Sequence, residues 1–315
     1  MIVVTGGAGF IGSNLVATLN RRGRDDILLV EDLSDGHKAI NLADSVIADY
    51  LDWRQCLELL EGGGGLPGAI ERIYHLGACS DTTEWNGKLM METNFRFSRA
   101  LFEYATARGI PLVYASSAAV YGIGTAFAEV RANERPLNMY GYSKLVFDQY
   151  VRSRLAQVGS TVVGLRYFNV YGPREQHKGR MASVVWHFQR QLRDQGRVRL
   201  FGASHGCAAG EQRRDFVYVD DVIDVTLHCG ELGSVASGIY NCGTGRAETF
   251  NEVARSVIAE SGHGEIEYID FPADLLPAYQ AYTEANLDAL RATGYTGQFR
   301  DVAAGVREYL SWLGS

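Results

Sequence analysis

The sequence predicts an α/β fold: a doubly wound parallel sheet with a smaller C-terminal α/β substrate domain. Three observations carry this. Short, almost continuously apolar runs alternate with helical patterns through the first half of the chain, as strands buried on both faces require. The first such run breaks directly into a glycine-rich turn that opens a helix, at residues 5–12. The composition, 46% apolar and 21% charged over 315 residues, is that of a globular chain long enough for one large or two modest domains.

The elements follow in order. Ile2–Thr5 reads as a strand, and Leu15, Val16 and Leu19 then recur at helical spacing up to Arg21. Residues 27–30 form a second strand ending in Glu31 and Asp32, and Val46 with Ile47 reads as a third. The glycine-rich stretch 61–68 is a surface loop. A strand at 73–76 leads to a helix over 88–108, a strand at 112–116, a helix over 139–155 and a strand at Val162–Tyr167. Beyond Tyr171 the pattern loosens into a basic loop, a helix over 181–195 and a Gly/Ala-rich segment at 202–210. Strands at 215–219 and 238–240 and a helix at Phe250–Ser261 complete the pattern, with no internal repeat and no linker.

Charge and cysteine usage narrow the function. Lys and Arg number 30 against 37 Asp and Glu, a net charge of −7, which speaks against nucleic acid or an anionic membrane as partner. The five cysteines, Cys56, Cys79, Cys207, Cys229 and Cys242, are scattered without a C-x-x-C pair, so neither a disulfide framework nor a metal site is expected. A reducing, cytoplasmic setting is the simple inference, and the first residues lack the pattern of a signal peptide. Residues 109–128 carry no charge, but Pro111, Ser116 and Ser117 make them a poor membrane span and a good strand followed by a loop.

Gly6, Gly9 and Gly12 lie between the first strand and the first helix. A pyrophosphate fits there, because the free N–H groups and the dipole of a helix N-terminus favour anions, and glycine lets the phosphate approach the backbone. This points to a Rossmann-type dinucleotide site, although the spacing is G-x-x-G-x-x-G. Glu31 and Asp32 end the second strand, where carboxylates accept hydrogen bonds from the adenosine ribose and favour NAD. Lys38, six residues on, would suit the 2′-phosphate of NADP, so the residues leave both cofactors open.

Tyr140 and Lys144 stand four apart on one helical face. A tyrosine lowered in pKa by a neighbouring ammonium and an oxidised nicotinamide can take a proton from a sugar hydroxyl as hydride leaves. Ser116 and Ser117 end the preceding strand, where a hydroxyl can bind the reacting oxygen or merely cap the strand.

These residues carry a resemblance. T-G-G-A-G-F-I-G at 5–12, S-S-A-A-V-Y-G at 116–122, Y-G-Y-S-K at 140–144, R-Y-F-N-V-Y-G-P at 166–173, D-F-V-Y-V-D-D-V at 215–222 and N-C-G-T-G at 241–245 stand in the order found in the extended short-chain dehydrogenase/reductases that act on nucleotide sugars. Within that superfamily, G-A-C-S-D-T-T-E-W at 77–85, G-P-R-E-Q-H-K-G-R-M-A-S at 172–183, R-R-D-F-V-Y-V at 213–219 and Y-Q-A-Y-T at 279–283 are most similar to the ADP-heptose 6-epimerases of lipopolysaccharide-precursor synthesis.

The resemblance implies Tyr140, Lys144, Ser117 and Lys178 as catalytic residues, Lys178 serving as a second acid/base on the other face of the sugar. It implies cofactor contacts at Gly6, Gly9, Phe10, Ile11, Gly12, Glu31, Asp32, Lys38, Leu76, Gly77, Ala78, Cys79, Ser80, Asn94, Lys144, Val170 and Lys178. Substrate contacts carry over to Ser117, Asn169, Arg180, His187, Phe201, Gly202, Ala203, Ser204, Arg214 and Tyr279. The implied cofactor is NADP, one per subunit, with NAD still open; the implied substrate is an ADP-heptose. The implied assembly is a homo-oligomer, a pentamer among the family's forms, with no nucleic-acid or membrane partner. The implied division is a cofactor-binding domain over 1–170, with returning segments near 214–240, and a mainly substrate-binding domain over 171–315. Three positions depart from the family's pattern: Trp53 where a lysine is frequent, Arg180 where a small polar residue is usual, and a longer segment over 205–210. Two other readings stay open. One is a NAD-dependent UDP-hexose 4-epimerase, which shares Tyr140, Lys144 and Ser117 but has no need of Lys178; the other is a non-catalytic dinucleotide-binding protein. A 4,6-dehydratase fits less well, because Ala118 and Ala119 follow Ser117 where those enzymes carry an Asp-Glu pair.

Overall fold

The computed structural model describes residues 1–231, 235–272, 276 and 279–314. The chain opens β1 (Ile2–Thr5), α1 (Phe10–Arg21), β2 (Ile27–Glu31), β3 (Asp49–Asp52), α2 (Trp53–Glu61) and β4 (Arg72–His75). Then come α3 (Gly87–Met90), α4 (Phe97–Ala107), β5 (Leu112–Ser117), α5 (Met139–Arg152), β6 (Val162–Tyr167) and β7 (Asn169–Tyr171). The second half adds α6 (Val184–Gln195), β8 (Arg197–Phe201), β9 (Arg213–Arg214), β10 (Phe216–Tyr218), α7 (Val219–Gly230) and β11 (Gly238–Cys242). It ends with β12 (Glu248–Thr249), α8 (Phe250–Ser261), β13 (Glu265–Ile269), α9 (Asp288–Ala292) and α10 (Val302–Gly314).

Seven strands form one parallel sheet in the order β11-β6-β5-β4-β1-β2-β3. The period-2 geometry of the strands divides their apolar residues between two faces. Ile2, Val4, Ile27 and Leu29 meet Leu15, Val16 and Leu19 of α1 and Val222, Ile223 and Leu227 of α7. Val3, Leu28 and Val30 meet Leu57 of α2, Leu101 and Phe102 of α4, and Phe147 and Val151 of α5. Each such side chain contributes about 1.5–3 kcal/mol by leaving water, which is why the runs read as continuously apolar.

A third core lies beyond the sheet, where Val185, Phe188 and Leu192 of α6 pack with Val198 and Leu200 of β8, Val253 and Val257 of α8, and Val302 and Val306 of α10. The chain leaves the large sheet after β6 and returns to it at β11, pairing Gly238 with Val163 through to Cys242 with Tyr167.

Several expected elements are corrected. The third strand is not Val46–Ile47 but Asp49–Asp52, an edge strand held by pairing with β2 rather than by burial; Val46 is exposed. The strand expected at 215–219 stops at Tyr218, and Val219 starts α7. The single helix expected over 88–108 is α3 and α4 joined by a π-helical turn, Met91–Arg96. The helix expected from 181 begins at Val184, capped by the Ser183 hydroxyl, after a short 3-10 stretch at Gln176–Met181.

Candidate active site

The C-terminal ends of the parallel strands open on a cleft of about 470 Å³. Its floor is the glycine turn. Gly6 holds φ +67°, and a Cβ there would stand 2.5 Å from the Gly77 nitrogen. A Cβ on Gly12 would overlap the Gly6 carbonyl. Gly9 starts α1 with no side chain capping it, so the first turn of the helix faces the cleft with its N–H groups available. This cradle would be filled by any side chain and suits a pyrophosphate.

At the end of β2, Glu31 is buried and lines the cleft. Its Oε2 accepts from the Ala8 amide at 3.0 Å, and its Oε1 accepts from the Asp32 amide at 2.8 Å and from Lys38 Nζ at 3.3 Å. Asp32 is not part of the cleft lining. The Ser34 hydroxyl and amide, with Trp53 and Arg54 beside them, hold its carboxyl down to about 2. Trp53, the departure noted above, therefore buttresses Asp32.

The loop after β4 brings Leu76, Gly77, Ala78, Cys79 and Ser80 to the wall. Asn94 lies behind it, fully buried in the π-helical turn. Its Oδ1 accepts from the Cys79 amide at 2.8 Å and its Nδ2 donates to the Cys79 carbonyl at 2.9 Å, so Asn94 positions the wall without lining it.

Ser117, Tyr140 and Lys144 meet at the ends of β5 and α5. Asn138 caps α5 through the Gly141 amide, which places Tyr140 in the first turn and Lys144 one turn later on the same face. The two serines separate: Ser116 is buried and donates to Asp148 Oδ2 at 3.0 Å, while Ser117 is the half-buried one beside Tyr140. Lys144 is buried and donates to the Ala115 carbonyl at 2.8 Å. Burial pushes it down to about 8 against the opposing charge of Asp148. Burial also pushes the Tyr140 phenol above its ordinary value, and the Ser117 hydroxyl pulls the other way. Lys144, whose ammonium donates to the Ala115 carbonyl, is not among the groups that shift it, and the other charge expected to lower it, that of an oxidised nicotinamide, comes only with the cofactor.

The loop after β7 covers the cleft and carries Lys178. Its Nζ lies 5.5 Å from the centre of the Phe10 ring. Burial lowers its pKa and Glu175 opposes that shift. Glu175 is itself fully buried, accepting from the Gly172 amide at 3.3 Å and the Ser183 hydroxyl at 2.6 Å, so it ties both ends of this loop together. Val170 also reaches the cleft.

The remaining expected substrate residues sit outside this lining. Asn169 is exposed on β7. Arg180 is exposed and pairs with Asp81 at 2.8 Å, and His187 Nε2 lies 3.3 Å from the Arg180 carbonyl. A second group forms beyond β8. Phe201 and Tyr279 both contact Phe271, each at 5.0 Å between ring centres, and His205 of the long 205–210 segment contacts Phe271 and Tyr279 at 5.7 Å. Gln212 Nε2 donates to the Gly202 carbonyl at 3.1 Å and to Ser204 Oγ at 2.8 Å, fixing the turn that contains Ala203. Arg214 is buried, its guanidinium 4.9 Å from the Tyr279 ring, and among the described residues no carboxylate pairs with it. Burial lowers its pKa, so an anion is the partner its chemistry calls for. The sequence reading missed Asp81, Ala115, Tyr167, Phe168, His177 and Met181 in the cleft lining. All but Ala115 lay inside motifs already singled out, Tyr167 and Phe168 in the one at 166–173, where Tyr167 also ends an expected strand.

Residues 2–243 match the model of the NAD dependent epimerase/dehydratase family. The chain belongs to this family. It is 61% identical over 310 residues to the ADP-L-glycero-D-manno-heptose-6-epimerase of Alkalilimnicola ehrlichii, covering 98% of this chain and 96% of the relative. Among solved structures, the ADP-L-glycero-D-manno-heptose-6-epimerase of Helicobacter pylori superposes with a TM-score of 0.83 at 31% identity, covering 100% of this chain and 96% of that one. The UDP-glucose 4-epimerase of Thermus thermophilus, solved in complex with NAD, gives 0.78 at 29% identity over 98% and 97%. The family and these structures agree with the Rossmann-type parallel sheet.

Proposed function

We propose that this chain is an ADP-L-glycero-D-manno-heptose 6-epimerase, inverting C6″ of ADP-D-glycero-D-manno-heptose to supply heptose for lipopolysaccharide. The observation that carries the reading is the presence of two separate proton-transfer groups, Tyr140 and Lys178, in one cleft with the glycine turn. The 61% identity over nearly the whole chain supports the heptose as substrate.

A nicotinamide dinucleotide, when bound, accepts hydride from C6″ and later returns it. Tyr140 takes the hydroxyl proton as the C6″–H bond breaks to give the ketone, and Ser117 holds the reacting oxygen. Lys144 keeps a positive charge close to this exchange and orients the dinucleotide ribose. After the ketone turns, Lys178 supplies the proton to the oxygen as hydride returns to the opposite face, and exchange with solvent then removes the proton from Tyr140 and restores the one on Lys178. The cycle is redox-neutral, so no external oxidant enters. Arg214 binds a phosphate of the ADP moiety.

We infer NADP as the cofactor, supported by Lys38 reaching the cleft beside Glu31 and by Arg54 nearby at Asp32. We further propose a homo-oligomer, and a division of the chain into a cofactor domain over 1–170, joined by segments near 214–240, and a mainly substrate-binding domain over the rest of 171–315.

The test is incubation of purified protein with ADP-D-glycero-D-manno-heptose and no added cofactor. Epimer forms with the wild type, and Tyr140→Phe cuts turnover by about 10²–10⁴-fold. Turnover of UDP-hexoses alone would replace this reading with a 4-epimerase. The mass of the dinucleotide released on denaturation decides NADP against NAD.

A further inference from the structure

We propose that His177 is a cofactor-binding residue, donating a hydrogen bond from Nε2 to a phosphate oxygen of the bound dinucleotide. The inference rests on the reading above that the cleft holds a dinucleotide. His177 lines that cleft together with the glycine turn, Glu31, Lys38 and Lys178.

Its ring is fixed from behind. Asn41 is buried, and its Nδ2 donates to the Ala8 carbonyl at 3.0 Å and to the Arg174 carbonyl at 3.1 Å. Two carbonyls on one side of the amide settle which end is nitrogen. The same nitrogen lies 3.0 Å from His177 Nδ1, so its two hydrogens are shared among three acceptors, and a proton on Nδ1 would point at a donor; Nδ1 is therefore the bare nitrogen. The Arg174 carbonyl also lies close to the ring and favours a proton on it, but at 3.0 Å from the Asn41 donor that proton is excluded from Nδ1. With Nδ1 accepting, the neutral ring carries its proton on Nε2 and has a donor left for the cleft. Burial, and after it the charges of Lys38 and Lys178, lower the ring's pKa against the Arg174 carbonyl and Asp35, so a second proton is disfavoured. The two lysines and this donor line the same cleft as the glycine turn, where an anion is expected.

The surrounding loop behaves as a strap. On one side it is bound firmly: Asn14 Nδ2 donates to the Pro173 carbonyl at 2.9 Å, and Arg174 pairs with Asp44 at 2.6 Å. On the other side, among the described residues, the exposed Arg180 reaches across to Asp81 and Thr83. An epimerase that regenerates its cofactor in every cycle gains from holding it between cycles, and a donor carried on a strap over the phosphates serves that retention.

The experiment measures how fast the bound dinucleotide of purified holoenzyme exchanges with an excess of isotopically labelled NAD or NADP, followed by mass spectrometry. His177→Phe fills the space without a donor and speeds exchange about tenfold or more, the worth of a hydrogen bond to a charged group. His177→Gln keeps an N–H donor and restores slow exchange. Faster exchange of both dinucleotides places the contact at the pyrophosphate; faster exchange of NADP alone places it at the 2′-phosphate. Wild-type exchange rates in His177→Phe with either cofactor overturn the proposal. Purified wild type that neither carries nor takes up a dinucleotide overturns the underlying reading instead, and the two failures are thereby distinct.

Discussion

Lys144 shows how a single residue couples the site to pH. Burial lowers its pKa to about 8, and Asp148 one turn on, engaged with Arg166 at 2.8 Å, limits the fall. Below about 8 the ammonium is charged and serves the proton exchange at Tyr140; above it the charge is lost. Turnover is therefore expected to decline as pH rises through about 8, in a pH profile of kcat. Stability moves the other way. The unfolded lysine holds its proton up to about 10.4, so unfolding takes up a proton between about 8 and that value, and this residue's contribution to stability rises with pH across the window. Denaturant unfolding of wild type and Lys144→Met at pH 8 and pH 10 checks the sign: the wild type should gain relative to the variant. At this scale the sequence named the participants but not their aim. The pair Ser116 and Ser117 is symmetrical in sequence, and only the pleat of β5 sends one to Asp148 and the other to Tyr140. Likewise Tyr140 and Lys144 share a face, yet nothing in their spacing tells that the ammonium turns to the Ala115 carbonyl.

Elements with a strong local signal were legible in the sequence; those decided by their neighbours were not. β6 and α8 coincide with their expected limits because apolar runs end there at polar breaks, with a capping box at Thr249 and Glu252 opening α8. The boundary between β10 and α7 was hidden, since Val219, Val222, Ile223 and Val225 are all buried and no glycine or proline separates strand from helix. The pairing of β8 with β13 was missed because these short strands alternate charged and apolar residues and find each other across more than sixty positions. The glycine turn joins β1 to α1 and gives a sharp prediction. Gly12→Ala drives a methyl into the Gly6 carbonyl, so the turn must open. The protein is expected to purify folded by circular dichroism but with less than a tenth of the bound dinucleotide, about the loss of one strong phosphate contact; a full complement of dinucleotide would contradict the role given to the turn. The junction of β4 with its neighbours gives another. His75 is buried between the Thr5 hydroxyl and the Ser98 hydroxyl, each at 2.7 Å, and burial pushes its imidazole down to about 3. The unfolded histidine protonates near 6.5, so stability falls progressively as pH drops from about 6.5 to about 3. In His75→Asn this part of the acid limb should flatten in thermal melts between pH 4 and pH 7.

Across the whole molecule, the chain crosses repeatedly between the large sheet and the core built on α6, α8 and α10, and one carboxylate collects several of those crossings. Asp215 is fully buried just before β10. Its Oδ1 accepts from the Thr244 amide at 2.7 Å and the Thr244 hydroxyl at 2.8 Å; its Oδ2 accepts from the Gly245 amide at 2.9 Å and the Ala285 amide at 3.0 Å. Its own amide donates to the Thr283 hydroxyl at 3.1 Å. Three stretches distant in sequence thus meet on one side chain: the approach to β10, the turn after β11, and the segment leading from Tyr279 to α9. Because Arg214 precedes Asp215 and Tyr279 lies on the last of these stretches, the same carboxylate also fixes the place where the nucleotide phosphate is proposed to bind. The motifs at 215–222 and 241–245 announced two parts of this junction in sequence, and the motif at 279–283 reached Thr283, but Ala285, which bonds Asp215 through its backbone amide, has no local signature and depends on the tertiary fold. Asp215→Ala leaves four donors without a buried acceptor, each costing about 1–3 kcal/mol where water does not reach it. The expected outcome is a fall in thermal midpoint of several degrees together with a rise in KM for the ADP-sugar, while Asp215→Asn, which keeps one carbonyl acceptor, falls between the two. A loss of stability with KM unchanged would confine Asp215 to the fold, and an unchanged midpoint would mean that the three stretches are held together elsewhere.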